Sequence, residues 1–293
     1  MTDALERLVV QLDNDASLLE PTQLRQRLET LDILDAHFPD IHHSESVIEP
    51  KTAALHRRAS AIRIRLESAN HDLYKAIRSE ILRGSQPHTL LRWARSSVAM
   101  EDAIEPLNGI GYDYLDELIS GVFQFEEPNV APVQRDSEIV FYQPTPARHI
   151  FSLISLTTLS PADVLIDLGS GLGHVSLLVS VCTLARCIGI EIEAAYVERA
   201  RQCAQQLNLN QATFLHQDVR DADLSIGTIF YLYTPFTGSI LRQVLNHLRR
   251  EAATRPIRIC TYGPCTSVIA EESWLEAAAA PATNRITLFR SRS

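Results

Sequence analysis

Residues 163–173 read Asp-Val-Leu-Ile-Asp-Leu-Gly-Ser-Gly-Leu-Gly, and this stretch decides the fold class. A short apolar run ends at Leu168, three glycines follow, and apolar residues then recur at helical spacing from Val175. This pattern predicts a buried strand, a tight turn and a helix. A glycine turn lets backbone approach a ligand where a Cβ would clash, and a helix start offers free N–H groups. The stretch therefore predicts an α/β domain with a small-molecule site at the turn.

The spacing of the glycines bears on which ligand binds. A dinucleotide fingerprint has a further glycine three places after its second, and His174 stands there. The order acid-Leu-Gly-x-Gly-x-Gly instead resembles motif I of the class I S-adenosylmethionine-dependent methyltransferases. The resemblance implies a Rossmann-like seven-stranded sheet, mostly parallel with an antiparallel edge, and S-adenosylhomocysteine as product. It also implies a loop around the methionine part of the cofactor, formed by Asp167, Gly169, Ser170, Gly171 and Gly173.

A second apolar run, residues 186–191, ends in an acid. Glu191 follows the glycine loop at the distance where α/β cofactor folds place a carboxylate that binds both ribose hydroxyls. The resemblance implies this role for Glu191 and places Ile192 beside the adenine. A solvated glutamate at a strand end is the alternative. Residues 193–207 have the apolar spacing of a helix.

A third strand is predicted over residues 212–218. In the resembling family an acid at its end binds the adenine amino group, and the next N–H meets a ring nitrogen. Asp218 and Val219 fit these positions, while Asp221 and Asp223 are alternatives for the acid.

The fourth predicted strand, residues 228–233, leads into Thr234-Pro235-Phe236. Relatives that methylate nucleobase or glutamine nitrogens often have Asn/Asp-Pro-Pro-Tyr/Phe here. The missing amide or acid argues against those acceptors, although the Thr234 hydroxyl still offers one hydrogen bond. The rest of the chain predicts a helix, a fifth strand and an antiparallel edge pair, at residues 238–250, 257–262, 273–276 and 286–290.

The segment before the first strand is rich in proline and ends in Phe-Tyr-Gln-Pro-Thr-Pro at residues 141–146. Because it precedes a predicted helix at 147–157, we expect it to fold over the cofactor, with Thr145 near the methionine carboxylate. A plain linker with a helix cap at Thr145 is the alternative. We expect three aromatic side chains to form walls of the methyl pocket: Tyr142, Tyr233 and Phe236. We also expect Tyr233 to contact the cofactor.

This segment together with the glycine loop also resembles the non-SET protein-lysine methyltransferases of the disruptor of telomeric silencing type. Those proteins place a helical domain before the catalytic sheet. The resemblance implies a lysine amine as one acceptor, although the fourth-strand motif differs. The predicted organisation is a helical domain at 1–125, a linker and cofactor-covering segment at 126–146, and a methyltransferase domain at 147–293.

Composition and charge narrow the cellular location, the metal content and the partners that we expect. The chain has 293 residues, is 45% hydrophobic and has five cysteines without a Cys-x-x-Cys pair, which favours a reducing cytoplasm and no metal site. No apolar run is long enough for a membrane helix, and the first residues do not resemble a secretory signal. The net charge of −9 divides into −10 for residues 1–140 and +1 for 141–293, which disfavours non-specific nucleic-acid binding.

Three functions remain open from the sequence. The first is a methyltransferase whose acceptor is a protein, a small molecule or RNA. The second is a module that binds S-adenosylmethionine or a partner without catalysis. The third is an NAD-dependent oxidoreductase, against which His174 argues.

Overall fold

The computed structural model describes residues 2–39, 50–84, 90–92, 111–125, 128 and 137–292. The chain folds into two compact units, Met1–Ser79 and Glu80–Ser293. Residues 126, 127 and 129–136 of the predicted linker lie outside the described residues.

The first unit is helical, as predicted. Amphipathic helices form it: α1 (Thr2–Asn14), α2 (Leu24–His37) and α3 (Pro50–Leu82), with short 3₁₀ turns at Ala16–Leu19 and Pro21–Gln23. Their apolar faces share one core, which includes Val9, Leu34, Ile62 and Leu66. Within the described residues no helix is long and apolar enough to cross a membrane.

The second unit alternates strands and helices. Its helices are α4 (Tyr114–Phe123), α5 (Ala147–Thr157), α6 (His174–Cys182), α7 (Ala194–Gln206), α8 (Gly238–Ala252) and α9 (Cys265–Ala270). Its strands are β1 (Val164–Leu168), β2 (Arg186–Glu191), β3 (Ala212–His216), β4 (Ile229–Leu232), β5 (Arg258–Thr261), β6 (Leu275–Ala277) and β7 (Thr287–Ser291).

The strands form one seven-stranded sheet in the order β3-β2-β1-β4-β5-β7-β6. Strands β1 to β5 are parallel, and β7 is antiparallel to both β5 and β6. This arrangement confirms the predicted Rossmann-like sheet with an antiparallel edge. The strand order reverses between β1 and β4, and ligands of open α/β sheets bind outside the carboxyl ends of strands at such a point.

Helix α4 packs on α5 within the second unit, although the predicted helical domain at 1–125 included it. Asp113 caps α4 and also forms an ion pair with Arg148 of α5. The Ala147 N–H donates to Asp116 of α4 over 2.8 Å. These bonds join α4 to the segment that enters the sheet.

Candidate functional site

The turn after β1 is packed so tightly that only glycine fits it. Gly169, Gly171 and Gly173 have φ values of 84°, 52° and 82°, where side chains are strained. A Cβ at Gly169 would lie 2.3 Å from Cβ of Pro235, and one at Gly171 would lie 2.0 Å from Cε2 of Tyr142. A Cβ at Gly173 would lie 2.5 Å from the ring of Phe214. Because these three positions have no side chain, three other parts of the chain pack against this loop: the end of β4, the segment before α5, and strand β3.

A cavity of about 300 Å³ lies over the carboxyl ends of β1 to β4, at the lower end of the range for small-molecule sites. It brings together most of the predicted cofactor residues: Thr145, Asp167, Gly169, Ser170, Glu191, Ile192, Asp218, Val219 and Tyr233. Tyr142, Tyr233 and Phe236, the predicted pocket walls, also line it. Gly171 and Gly173 do not line it, so their contact with a cofactor stays a prediction.

Asp167 lies at the end of β1 and is 3% exposed. Burial, with a smaller contribution from the nearby charge of Glu191, raises the pKa of its carboxyl to about 8. Ser176 approaches this carboxyl at 3.5 Å. A cationic ligand group beside Asp167 would favour the ionised form.

Glu191 joins two segments of backbone at the end of β2. One carboxylate oxygen accepts the Gly171 N–H over 2.9 Å, and the other accepts the Glu193 N–H over 2.8 Å. A carboxylate has about four acceptor sites, so Glu191 keeps capacity for ligand hydroxyls.

Asp218 follows β3 and is paired with Arg220, which the sequence analysis did not identify. Both carboxylate oxygens accept from the Arg220 guanidinium, and one also accepts the Arg220 N–H. These bonds lower the pKa of Asp218, so it remains an acceptor at neutral pH. The alternative acids Asp221 and Asp223 are not among the residues that line the cavity.

Thr234 follows β4 in a conformation that β-branched residues rarely adopt, with φ of 40°. Its hydroxyl is buried, accepts the Cys265 N–H over 3.0 Å and lies 3.3 Å from the carbonyl oxygen of Tyr262. The hydroxyl that sequence analysis left available for an acceptor is therefore already engaged within the protein.

Residues 137–146, named here the roof segment, cross the carboxyl edge of the sheet. Ile139 forms an antiparallel bridge with Phe236, and the Val140 N–H donates to the Pro235 carbonyl over 3.1 Å. Further along, Tyr112 donates to the Pro144 carbonyl over 2.6 Å. Thr145 shares a 2.8 Å hydrogen bond with the hydroxyl of Tyr231 in β4.

Tyr142 lies in the middle of the roof segment, next to the glycine loop. Its hydroxyl shares a 3.0 Å hydrogen bond with Nδ1 of His174, and its ring centroid is 4.9 Å from that of Tyr196. Tyr196 also lines the cavity. Sequence spacing gave no signal for these contacts, because they join segments far apart in the chain.

The chemistry of the cavity fits a nucleoside with a cationic end. Ser170 Oγ is buried and has no hydrogen-bond partner in the structure, and it belongs to a residue that lines the cavity. Carboxyl groups lie at or just after the ends of β1, β2 and β3, and their oxygens are acceptors of the kind that ammonium, hydroxyl and amino groups bind. Among the described residues there is no cluster of three or more His, Cys, Asp or Glu that could hold a metal ion.

Residues 159–255 match the model of a family described as a methyltransferase domain. No curated protein matches the chain in sequence.

The chain is also similar to solved structures. An RNA methyltransferase from Salinibacter ruber, in complex with S-adenosyl-L-homocysteine, is 23% identical with a TM-score of 0.40 and covers 51% of this chain and 92% of its own. A precorrin-6y C5,15-methyltransferase from Geobacter metallireducens is 16% identical with a TM-score of 0.39, covering 51% and 89%. A tRNA (uracil-54, C5)-methyltransferase from Pyrococcus abyssi is 15% identical with a TM-score of 0.40, covering 51% and 39%.

The matched residues contain the glycine loop, Glu191, Asp218 and the end of β4. Together with the order of the seven strands, this match identifies the carboxyl-terminal part of the chain as a Rossmann-like, class I S-adenosylmethionine-dependent methyltransferase domain.

Proposed function

We propose that this domain transfers the methyl group of S-adenosylmethionine to an amine nitrogen, and that the amine is a lysine side chain of a protein. The observation that carries the proposal is the lack of carboxyl, imidazole, amine or guanidinium groups among the described residues that line the β4 end of the cavity. The walls there are aromatic, aliphatic, proline or threonine side chains: Ile139, Tyr231, Tyr233, Thr234, Pro235, Phe236, Ile240 and Pro264.

The carboxyl, guanidinium and imidazole groups of the cavity belong to its other parts. They lie at the ends of β1 and β2, follow β2 and β3, or start α6: Asp167, Glu191, Glu193, Asp218, Arg220 and His174. We assign Asp167 to the methionine ammonium, Glu191 to the ribose and Asp218 to the adenine. Ser170, Ile192 and Val219 complete that binding set, and Thr145 lies near the methionine carboxylate.

An apolar chamber favours an acceptor that becomes neutral before it reacts. Burial disfavours the charged form of an amine, so a lysine ammonium gives up its proton to solvent water before it is enclosed. An alcohol acceptor would need a positioned base, and Tyr233 does not supply one, because burial raises the pKa of its phenol to about 12. The amine nitrogen then forms a bond to the methyl carbon as the carbon–sulfur bond breaks, and the bonding pair remains on sulfur in S-adenosylhomocysteine.

Aromatic faces at the same end of the sheet suit a cationic product. The rings of Tyr233 and Tyr262 lie 4.6 Å apart, and His149 lies 4.4 Å beyond Tyr262. Of these rings Tyr233 lines the cavity, where an aromatic face attracts a sulfonium or a methylated ammonium by cation–π interaction. The protein thus aligns the amine with the methyl group in an apolar environment, and the reactivity comes from the methyl group bound to the sulfonium.

The acceptor is tested by incubating the protein with S-adenosylmethionine labelled at the methyl group and a whole-cell extract. The label is then followed into protein, RNA and small solutes. We expect acid-stable label in protein, at lysine on hydrolysis, and none with Asp167→Ala as the control that lacks the ammonium partner. Label only in RNA or in small solutes contradicts the lysine assignment, and cofactor binding without any labelled product favours a non-catalytic module.

The cofactor is tested separately by calorimetric titration with S-adenosylmethionine and with NAD. Saturable heat with the first and none with the second is expected. The reverse result would favour an oxidoreductase.

A further inference from the structure

His174 and Tyr142 form a pair that the transfer chemistry does not explain. The imidazole is the first side chain of α6, and its Nδ1 meets the Tyr142 hydroxyl at 3.0 Å. Phe125 stacks on a face of the imidazole, with ring centroids 3.7 Å apart and planes 27° apart. Burial lowers the pKa of His174 to about 3, so the ring is neutral, with one nitrogen that donates and one that accepts, and either arrangement can pair with the phenol hydroxyl.

The Tyr142 ring is therefore held from several sides. Its edge lies where a Cβ of residue 171 would be, and Tyr196 contacts it from α7. The hydrogen bond of its hydroxyl limits rotation of the side chain, because the phenol must point at the imidazole to keep it. Tyr142 thus closes against Gly171 in a single defined position.

Tyr142 also separates two cavities. On one side is the cofactor cavity, and on the other is a second cavity of about 310 Å³, lined in part by Tyr112, Phe125 and Leu172. Four residues line both cavities: Tyr142, Pro144, Thr145 and His174.

We propose that His174 is a positioning residue, whose hydrogen bond to Tyr142 holds the phenol ring against Gly171 as the wall of the cofactor cavity. The proposal rests on the proposed function, since it takes S-adenosylmethionine as the occupant. The role of His174 is to order Tyr142 before the cofactor binds, which improves affinity because the side chain need not be ordered on binding. Loss of the hydrogen bond should therefore lower cofactor affinity more than it lowers the rate of methyl transfer.

The test measures cofactor affinity by calorimetry and kcat at saturating cofactor for His174→Ala, Tyr142→Phe and the double variant. Tyr142→Phe keeps the ring and removes only the hydroxyl, so it remains informative if His174→Ala folds poorly. We expect each single variant to bind about five- to tenfold more weakly, as for loss of one buried hydrogen bond. The double variant should be no weaker than the weaker single variant, because both remove the same bond.

Two further variants complete the comparison. His174→Asn places an amide oxygen near the position of Nδ1 and should recover part of the affinity. His71→Ala, at an exposed histidine of α3, should match the wild type. Additive losses in the double variant, or a loss in kcat larger than the loss in affinity, would overturn the proposal.

Hydrogen exchange of the ligand-free protein separates this proposal from the proposed function. We expect the amides of Gly171 and Leu172 to exchange faster in His174→Ala and in Tyr142→Phe than in wild type. If the wild type does not bind S-adenosylmethionine, the proposed function fails, while the exchange comparison still decides the positioning role. Unchanged exchange in both variants overturns that role.

Discussion

Glu191 accepts the N–H of Gly171 over 2.9 Å, so the acid at the end of β2 is bonded directly to the loop that follows β1. Its second oxygen accepts the Glu193 N–H. The carboxylate is thereby fixed in orientation before any ligand arrives, with its remaining lone pairs available to hydroxyl donors. Because both oxygens already accept from the backbone, the site requires a carboxylate at this position.

Glu191→Gln should weaken S-adenosylmethionine binding by about 10- to 100-fold. The amide has one accepting oxygen, so its NH₂ group would face a backbone N–H, and charge-assisted bonds of about 1.5–3 kcal/mol are lost. Calorimetric titration measures the effect. Glu198→Gln, at an exposed position of α7, is the matched control and should bind as wild type. Equal affinity in Glu191→Gln and wild type would exclude the ribose role.

Gly169→Ala should destabilise the domain and weaken cofactor binding, because the new methyl would lie 2.3 Å from Cβ of Pro235. The control is Gly84→Ala, where φ is also positive at 67° but no atom lies within 4 Å of the new Cβ. The control should lose about 1–2 kcal/mol from backbone strain, and Gly169→Ala about 1–3 kcal/mol more from overpacking. Urea denaturation measures both, and equal midpoints would argue against the close contact.

Local patterns sufficed to predict the sheet and much of the cavity. The apolar run before Gly169 has the length and composition of a buried strand. Glu191 ends β2 and Asp218 lies shortly after β3, and the carboxyl ends of these neighbouring strands share one edge of the sheet. Element type and strand end are properties of short stretches, so they can be read from one sequence.

Contacts between distant segments could not be predicted in this way. Tyr142 was predicted as a pocket wall, but residue spacing did not indicate that its ring lies against Gly171 or that its hydroxyl meets His174. The engagement of the Thr234 hydroxyl by Cys265 depends on how the loops after β4 and β5 pack. Such contacts are set by tertiary packing, on which residue spacing carries no information.

Asp167 should make the stability of the folded domain fall as pH rises. Its pKa is raised from 3.8 to about 8, so between these values the folded protein holds a proton that the unfolded chain has released. Unfolding then releases a proton and becomes more favourable with increasing pH. Urea midpoints from pH 5 to 8 should decline less steeply in Asp167→Asn than in wild type. Glu271→Gln, at an exposed carboxylate, should keep the wild-type slope.

Binding of S-adenosylmethionine at pH 7 should release close to one proton from Asp167. With a pKa of about 8 the carboxyl is mostly protonated in the free protein, and an adjacent ligand ammonium favours the ionised form. Titration calorimetry in two buffers of different ionisation enthalpy counts the protons. Asp167→Asn should release fewer, and proton uptake by the wild type would contradict the assignment of Asp167 to the ammonium.

Thr234→Val should destabilise the loop after β4 while keeping its shape. Valine matches threonine in volume and branching, so the strained backbone at φ of 40° is unchanged, but the Cys265 N–H loses its acceptor. A buried unsatisfied N–H costs about 1–3 kcal/mol, which urea denaturation detects. Thr234→Ser keeps the hydroxyl and should lie close to wild type. Because Pro235 follows directly and packs on Gly169, kcat should fall in Thr234→Val even where cofactor saturates the site. A valine variant as stable and as active as the serine variant would show that the Thr234 hydroxyl does not hold this loop.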